Sequence, residues 1–174
     1  MTAPIEIDVW QGDLAELEVD ALIVGANESL FMTVGAAASV KRHGGDAIER
    51  AAVDQGPIEP GRAVATAGGG LAAPYVIHAV AVGHDRIADP ESLRAAVRAA
   101  LTLCAPLQVR RVATALLGAE HGVFPAQEAA DLLVGVLTAE AASHGLESVV
   151  IATAHAGDTR AVGDALARER ARIG

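Results

Sequence analysis

Two glycine-containing loops carry the groups in this sequence that are best suited to binding an anion. The first loop, residues 27–35, separates a short apolar segment from an alanine-rich segment. The second, residues 118–125, reads Gly-Ala-Glu-His-Gly-Val-Phe-Pro and also lies between an apolar segment and a helix-compatible one. Each loop would bring backbone N–H groups and the positive end of a helix dipole to the pocket. The loops therefore predict a phosphate site that needs no basic side chain.

Glu120 and His121 give the second loop either acid–base chemistry or an unwanted negative charge. As a pair they could act as general acid and base, although adjacent loop residues seldom reach the same reacting atom. A carboxylate about 5 Å from a bound phosphate would cost about 3 kcal/mol at an effective dielectric of about 20. A helix N-terminus stabilises a bound anion by only about 0.3–2 kcal/mol. Either Glu120 faces solvent and its backbone N–H still serves, or the pocket no longer holds a diphosphate.

The remaining titratable side chains are interpreted mainly as structural. His78 lies on an apolar strand and is expected to be a hydrogen-bonded core residue. Cys104 falls on the apolar face of a helix, where it packs instead of forming a reactive thiolate. His155 and Asp158 follow the last strand, so they either face the pocket from a third side or belong to a polar loop that caps the last helix. The histidines show no metal-ligand spacing, and no metal site is predicted.

Alternating strands and helices would position these loops. Alternation of apolar and charged residues predicts a half-exposed strand at 5–9, and a continuous apolar run predicts a buried one at 21–24. Asp46 with Glu49 suggests a capping box, and Asp89 before Pro90 is a favourable helix start. The other predicted strands are 62–67, 75–82, 112–117 and 148–152. The other predicted helices are 36–42, 125–143 and 158–172. The last helix has Val162, Leu166 and Ile173 on its apolar stripe. This order predicts an α/β fold: a three-layer α/β/α sandwich with a mixed, largely parallel central sheet.

Composition excludes several functional classes. The 174 residues include 13 Lys and Arg against 22 Asp and Glu, a net charge of −9 that disfavours non-specific nucleic-acid binding. One cysteine excludes an intrachain disulfide. The N-terminal segment lacks the basic and apolar regions of a secretory leader, and the uncharged segment 63–83 is interrupted by Gly68–Gly70 and Pro74. We expect a single domain over residues 1–174, a cytoplasmic location and no membrane partner.

Five sequence motifs together resemble the macro domain family. They are Gly12-Asp13-Leu14, Val19–Asn27 (VDALIVGAN), Gly61–Thr66 (GRAVAT), Leu71–Val80 (LAAPYVIHAV) and the loop Gly118–Pro125 (GAEHGVFP). Their order and spacing match the family from about Ile5 to Leu166. The resemblance implies the sandwich fold and a pocket for ADP-ribose or a derivative.

The resemblance also implies roles for individual residues. Asp13 matches the carboxylate that accepts a hydrogen bond from the adenine amino group, Leu14 lies beside the base, and Asn27 matches the asparagine that contacts the distal ribose, although Asn there is also a common turn former. The implied ligand-binding set is Asp13, Leu14, Asn27, Thr33, Val34, Gly35, Gly118, Ala119, Glu120, His121, Gly122, Val123 and Phe124.

Several positions depart from the family pattern. Thr33 and Val34 replace glycines, and β-branched Val34 disfavours a positive φ and adds bulk at the distal ribose. Ala37 stands where the hydrolase branch carries an Asp that activates water, and Glu120 and Val123 stand where the second loop has glycines. An aromatic residue that would cover the adenine near the last strand is missing.

Three functions follow from these matches and departures. The first is binding of ADP-ribose, free or on a modified macromolecule, with no cofactor. The second is an ADP-ribosyl hydrolase or an ADP-ribose-phosphate phosphatase, for which Asn27, Glu120 and His121 are the candidate catalytic residues. The third is a degenerate macro fold that serves as a non-catalytic interaction scaffold.

Overall fold

A central sheet organises residues 4–174, which are the part of the chain that the computed structural model describes. Residues 1–3, on which the expectation of no secretory leader partly rests, lie outside the described residues. The strands are β1 (Glu6–Gln11), β2 (Ala21–Ala26), β3 (Arg62–Ala67), β4 (Tyr75–Val80), β5 (Arg111–Ala115) and β6 (Ser148–Thr153), in the spatial order β1-β6-β5-β2-β4-β3. Neighbouring strands pair in parallel except β3, which pairs antiparallel with β4. The predicted mixed, largely parallel sheet is confirmed.

Helices cover both faces of this sheet. They are α1 (Gly35–Gly44), α2 (Asp46–Val53), α3 (Pro90–Cys104), α4 (Ala126–Glu140) and α5 (Ala156–Ile173), with short 3-10 turns at Leu14–Glu16 and Ala141–His144. α1 and α2 pack together against β2 and β3, whereas α4 packs between α3 and α5, which in turn contact the two ends of the sheet. The chain therefore forms the three-layer α/β/α sandwich expected from its sequence.

Helix starts show where local sequence rules held and where they failed. The Asp89 carboxylate accepts the Glu91 N–H at 3.1 Å, and Pro90 is the first residue of α3, as predicted. The capping box at Asp46 is wrong, because Gly45 is the N-cap of α2. Glu49 instead accepts the Met32 N–H and the Lys41 ammonium, each at 2.7 Å, so it ties α2 to the first loop and to α1.

The last helix also differs from its prediction. It begins at Ala156, two residues before Asp158, because His155 is already extended and serves as its N-cap. Val162 and Leu166 are buried, but Ile173 is 65% exposed because it is the last residue of α5. The predicted apolar stripe is therefore wrong at Ile173.

The buried polar groups of the core behave largely as expected. His78 is fully buried on β4, and its Nε2 lies 3.0 Å from the Thr66 hydroxyl on β3. Its Nδ1 has no partner among residues 4–174, and burial lowers its pKa to about 4. His78 is thus a core histidine that is satisfied at one nitrogen only. The buried Cys104 thiol donates to the Ala100 carbonyl, and burial raises its pKa to about 12, which confirms its packing role.

The parallel strands bring their following loops to one edge of the sheet. The segments after β1, β2, β5 and β6 all leave from the carboxyl ends of neighbouring strands. The Gly12 N–H donates to the Thr153 carbonyl at 2.9 Å, which joins the first and last of these segments. This edge is where ligands bind in open α/β sheets.

Candidate ligand-binding cleft

A cleft of about 580 Å³ lies at this edge, within the size range of small-molecule sites. The turn after β1, the first turns of α1, the loop after β5 and the β6–α5 junction all contribute to it. None of its described lining residues is Phe, Tyr or Trp, in keeping with the absence of such an adenine-covering ring near the last strand in the sequence. The lining residues are Gly12, Asp13, Leu14, Gly35, Ala36, Ser39, Arg42, Leu116, Ala119, Glu120, Ala152, Thr153, Ala154, His155 and Asp158.

Asp13 is held firmly at one end of the cleft. One carboxylate oxygen accepts the Ala15 N–H at 2.9 Å, and the other accepts the Ser39 hydroxyl at 2.6 Å. Partial burial opposes ionisation most, but these two hydrogen bonds and the nearby His43 and Arg42 leave the pKa of Asp13 below its ordinary value. Asp13 is therefore a fixed anion. Because a carboxylate offers about four lone-pair sites, it can still accept from a ligand.

Glu120 also lines the cleft and turns toward the start of α1. Its carboxylate accepts the Ala36 N–H at 3.0 Å, in the first turn of α1. Burial raises the pKa of Glu120 to about 6, although the Ala36 hydrogen bond opposes this increase, and the charge of Asp158 adds a smaller increase. The alternative in which Glu120 faces solvent is wrong, because its carboxylate accepts the Ala36 N–H at the start of α1 and lines the cleft.

Gly35 is the residue that gives Glu120 the space for this contact. Gly35 has φ +56°, and a Cβ built on it would lie 2.9 Å from the Glu120 Cδ. The preceding Val34 has φ −133°, an extended conformation that suits a β-branched residue. Val34 therefore does not oppose the turn, contrary to expectation, since the left-handed conformation falls on Gly35.

His121 does not join Glu120 in the cleft. A Cβ at Gly25 would lie 3.1 Å from the His121 Cε1, so the ring packs over the backbone of β2. Its Nδ1 is buried without a partner among residues 4–174, while Arg86 donates to its carbonyl. Burial and the Arg86 charge lower the pKa of His121. The two residues of the predicted acid–base pair thus contact different elements, Glu120 the start of α1 and His121 the backbone of β2.

Asn27 forms a local turn instead of lining the cleft. Its side-chain oxygen accepts the Ser29 N–H and its carbonyl accepts the Leu30 N–H, both at 3.0 Å. These bonds fit the turn-forming alternative. Of the predicted ligand-binding residues, five line the cleft, namely Asp13, Leu14, Gly35, Ala119 and Glu120; the others, Asn27, Thr33, Val34, Gly118, His121, Gly122, Val123 and Phe124, do not.

Phe124 shows why part of the second loop is structural. It is only 4% exposed and packs against Gly118, so it belongs to the core. Ala37, at the position of the hydrolase carboxylate, is likewise buried in α1.

The structure adds cleft residues that the sequence motifs did not identify. Ser39 and Arg42 lie one and two turns into α1, and Ala154 follows β6. His155 and Asp158 also line the cleft, so the alternative in which they face the pocket from a third side is correct. The sequence did contain a signal for Ser39. It stands four residues after Gly35, so the two residues lie on the same face of a helix.

Across residues 4–174, no three His, Cys, Asp or Glu side chains come together as a metal-binding group. None of the helices formed by these residues has the length and apolarity needed to span a membrane.

Comparison with known proteins places this fold in a family. A family model described as Macro domain matches residues 23–133. An uncharacterized protein of Mycobacterium tuberculosis is 37% identical over 133 residues, which is 76% of this chain and 37% of the relative. This chain thus spans little more than a third of that relative's length. An O-acetyl-ADP-ribose deacetylase of Klebsiella pneumoniae is 32% identical over 142 residues, covering 78% of this chain and 81% of the relative.

A solved structure shows the same architecture. The Trypanosoma brucei macrodomain in complex with ADP-ribose aligns with a TM-score of 0.85 at 21% identity, over 92% of this chain and 69% of that one. At this identity the likeness demonstrates the shared fold.

Proposed function

We propose, from the premise that this chain belongs to the macro domain family, that its cleft binds ADP-ribose or a derivative through the adenosine half. The Trypanosoma brucei neighbour, which carries ADP-ribose on the same fold, supports this ligand class. The observation that carries the proposal is the geometry of Asp13, a fixed carboxylate with lone pairs to spare at the end of a cleft of about 580 Å³.

Asp13 suits an adenine base for a simple chemical reason. An ionised carboxylate only accepts hydrogen bonds, and the adenine 6-amino group donates two. Leu14 provides an apolar contact beside Asp13, and Arg42 provides a planar guanidinium of the kind that stacks on bases. This arrangement favours adenine over a base with a carbonyl at the same ring position.

A matched ligand pair tests the base contact. We expect AMP to bind with a dissociation constant in the micromolar range or weaker. Inosine monophosphate, which has a carbonyl in place of the amino group, should bind about 10- to 100-fold more weakly, since a hydrogen bond to a charged group contributes about 1.5–3 kcal/mol. Isothermal titration calorimetry measures both.

The variant Asp13→Asn should remove most of this preference, because the amide keeps one acceptor but loses the charge. Asp54→Asn is the control, since Asp54 is exposed and lies outside the cleft. No heat with AMP or ADP-ribose at millimolar concentration would overturn the binding proposal in favour of the scaffold. Equal affinity for the two nucleotides would instead show that Asp13 does not contact the base.

A hydrolase or phosphatase is the second candidate, favoured by the relative named as a deacetylase. Of the three candidate catalytic residues, Glu120 lines the cleft, and its pKa of about 6 suits a general base. Asn27 and His121 are directed elsewhere. Chromatography of ADP-ribosylated protein incubated with this chain separates the two functions: binding alone leaves the substrate intact, and hydrolysis releases ADP-ribose.

A further inference from the structure

Glu120 is the boundary of the cleft, and its surroundings hold it in that position. The second loop contributes Ala119 and Glu120 to the lining, whereas residues 121–124 lie outside it. The Ala36 N–H binds the Glu120 carboxylate at 3.0 Å, so an N–H at the start of α1 already has an anion from the protein itself. At the start of α1 the cleft is thus lined by a carboxylate that occupies a helix N-terminal N–H.

The backbone on either side of Glu120 is also fixed. His121 packs over Gly25 on β2, and Arg86 donates to the His121 carbonyl. The Glu120 side chain rests against Gly35, where a Cβ would come within 2.9 Å of its Cδ. These contacts leave the loop little freedom to carry Glu120 away from the cleft when a ligand arrives.

The charges that face Glu120 add to its effect. Asp158, in the first turn of α5, lines the same cleft and is close enough to raise the pKa of Glu120. Asp13 adds a third acidic group, and Arg42 and His155 are the basic side chains among the lining residues. A phosphate that entered between Glu120 and Asp158 would meet two carboxylates and would compete with one of them for the Ala36 N–H.

We propose that Glu120 is a specificity-determining residue, which makes the cleft accept the adenosine part of a ligand while selecting against phosphate charge beside it. This inference rests on the proposed function, because it concerns the same cleft and the same ligand class. Ribose hydroxyls can donate to the Glu120 carboxylate, whereas phosphate oxygens only accept and are repelled. The favoured ligand is therefore an adenine nucleoside group with little phosphate charge next to Glu120.

Calorimetric titration of adenosine and ADP-ribose into three proteins tests this inference. In the wild type, ADP-ribose should bind no more tightly than adenosine at pH 7.5. Glu120→Gln, which removes the charge and keeps the volume, should tighten ADP-ribose binding at least tenfold and change adenosine binding less than threefold. Glu120→Gly, which also empties the space at α1, should give an equal or larger gain. Glu128→Gln changes the net charge equally at an exposed position on α4, and should leave both affinities unchanged.

The outcomes separate this inference from the proposed function. Wild-type binding of ADP-ribose more than tenfold tighter than adenosine, with no gain in either Glu120 variant, overturns the inference and leaves the proposed function intact. If no protein binds either ligand, both are overturned. Adenosine also reports the fold: loss of both ligands in Glu120→Gly alone identifies a misfolded variant, and Glu120→Gln then decides.

Discussion

At the residue scale, two carboxylates that line the same cleft have pKa values shifted in opposite directions. Hydrogen bonds from Ala15 and Ser39 keep Asp13 ionised, so its pKa lies below the ordinary value. Glu120 has one such bond, from Ala36, and burial beside Asp158 raises its pKa to about 6. Asp13 is therefore a permanent acceptor near neutral pH, whereas the charge on Glu120 depends on pH.

The pH dependence of ADP-ribose binding should follow Glu120. Because its pKa is about 6, lowering the pH from 7.5 to 5 converts most Glu120 carboxylates to the neutral acid. Repulsion of the phosphates then decreases, and we expect affinity to rise by about tenfold or more, given tenfold per 1.4 kcal/mol. Calorimetry at a series of pH values measures this rise, and the diphosphate linkage of ADP-ribose has no titration of its own in this range.

Glu120→Gln serves as the reference for the pH series. Asp13, Arg42, His155 and Asp158 face the same cleft and are unchanged in this variant, so the two proteins differ only at position 120. The variant should show a flatter profile than the wild type. Parallel profiles would show that Glu120 is not the source of the pH dependence and would contradict the role given to it.

At the element scale, the β3–β4 pair contains a group whose burial makes the fold sensitive to acid. His78 on β4 is fully buried and contacts Thr66 on β3, and its pKa is about 4. An unfolded histidine has a pKa of about 6.5. Below that pH the unfolded chain therefore binds a proton at His78, whereas the buried side chain of the native state stays neutral. Between pH 7 and pH 4.5 this difference should remove about 2.5 kcal/mol from the free energy of unfolding.

Urea unfolding of wild type and His78→Gln at the two pH values isolates this contribution. Glutamine retains a partner for the Thr66 hydroxyl and has no titration, so its loss of stability on acidification should be smaller by about 2.5 kcal/mol. Other titrating groups affect both proteins equally. An identical loss in the two proteins would show that His78 is not the source.

The secondary-structure elements were largely predictable from sequence because their signals are local. Asp89 before Pro90 marked the start of α3, and the apolar run at 21–24 marked β2. The capping box failed because Gly45 occupies the N-cap, and Glu49 instead contacts Met32 and Lys41 on other segments. Such contacts across elements depend on tertiary packing, which short-range rules do not contain.

At the scale of the whole molecule, the chain has an excess of acidic over basic residues, and the lining of the cleft has the same excess. The net charge is −9, and the cleft lining holds Asp13, Glu120 and Asp158 against Arg42 and His155. The acidic composition therefore acts directly at the proposed ligand. It does not exclude binding of a nucleoside, but the carboxylates of the cleft would repel each phosphate of a bound ligand.

The whole site was only partly predictable, for a geometric reason. The motif resemblance identified Asp13, Leu14 and the loop containing Glu120, because these stand at recognisable positions in the sequence. Ser39 and Arg42 enter the cleft only through the orientation of α1, and His155 and Asp158 enter through the β6–α5 junction. Asn27 matched the pattern but lies in a local turn outside the lining, and Phe124 packs in the core. Sequence patterns identified the positions, whereas packing decided which side chains face the cleft.

The central claim, that this cleft is where an ADP-ribose ligand binds, is tested most directly by mapping amide chemical-shift changes across the chain during an ADP-ribose titration. We expect the largest changes at Ala15, Ser39 and Ala154, which lie on or beside the cleft. A second groove of about 510 Å³, lined by Ile7, Leu166 and Arg170 among others, should remain unaffected. Changes confined to that groove, or none at millimolar ligand, would contradict the claim.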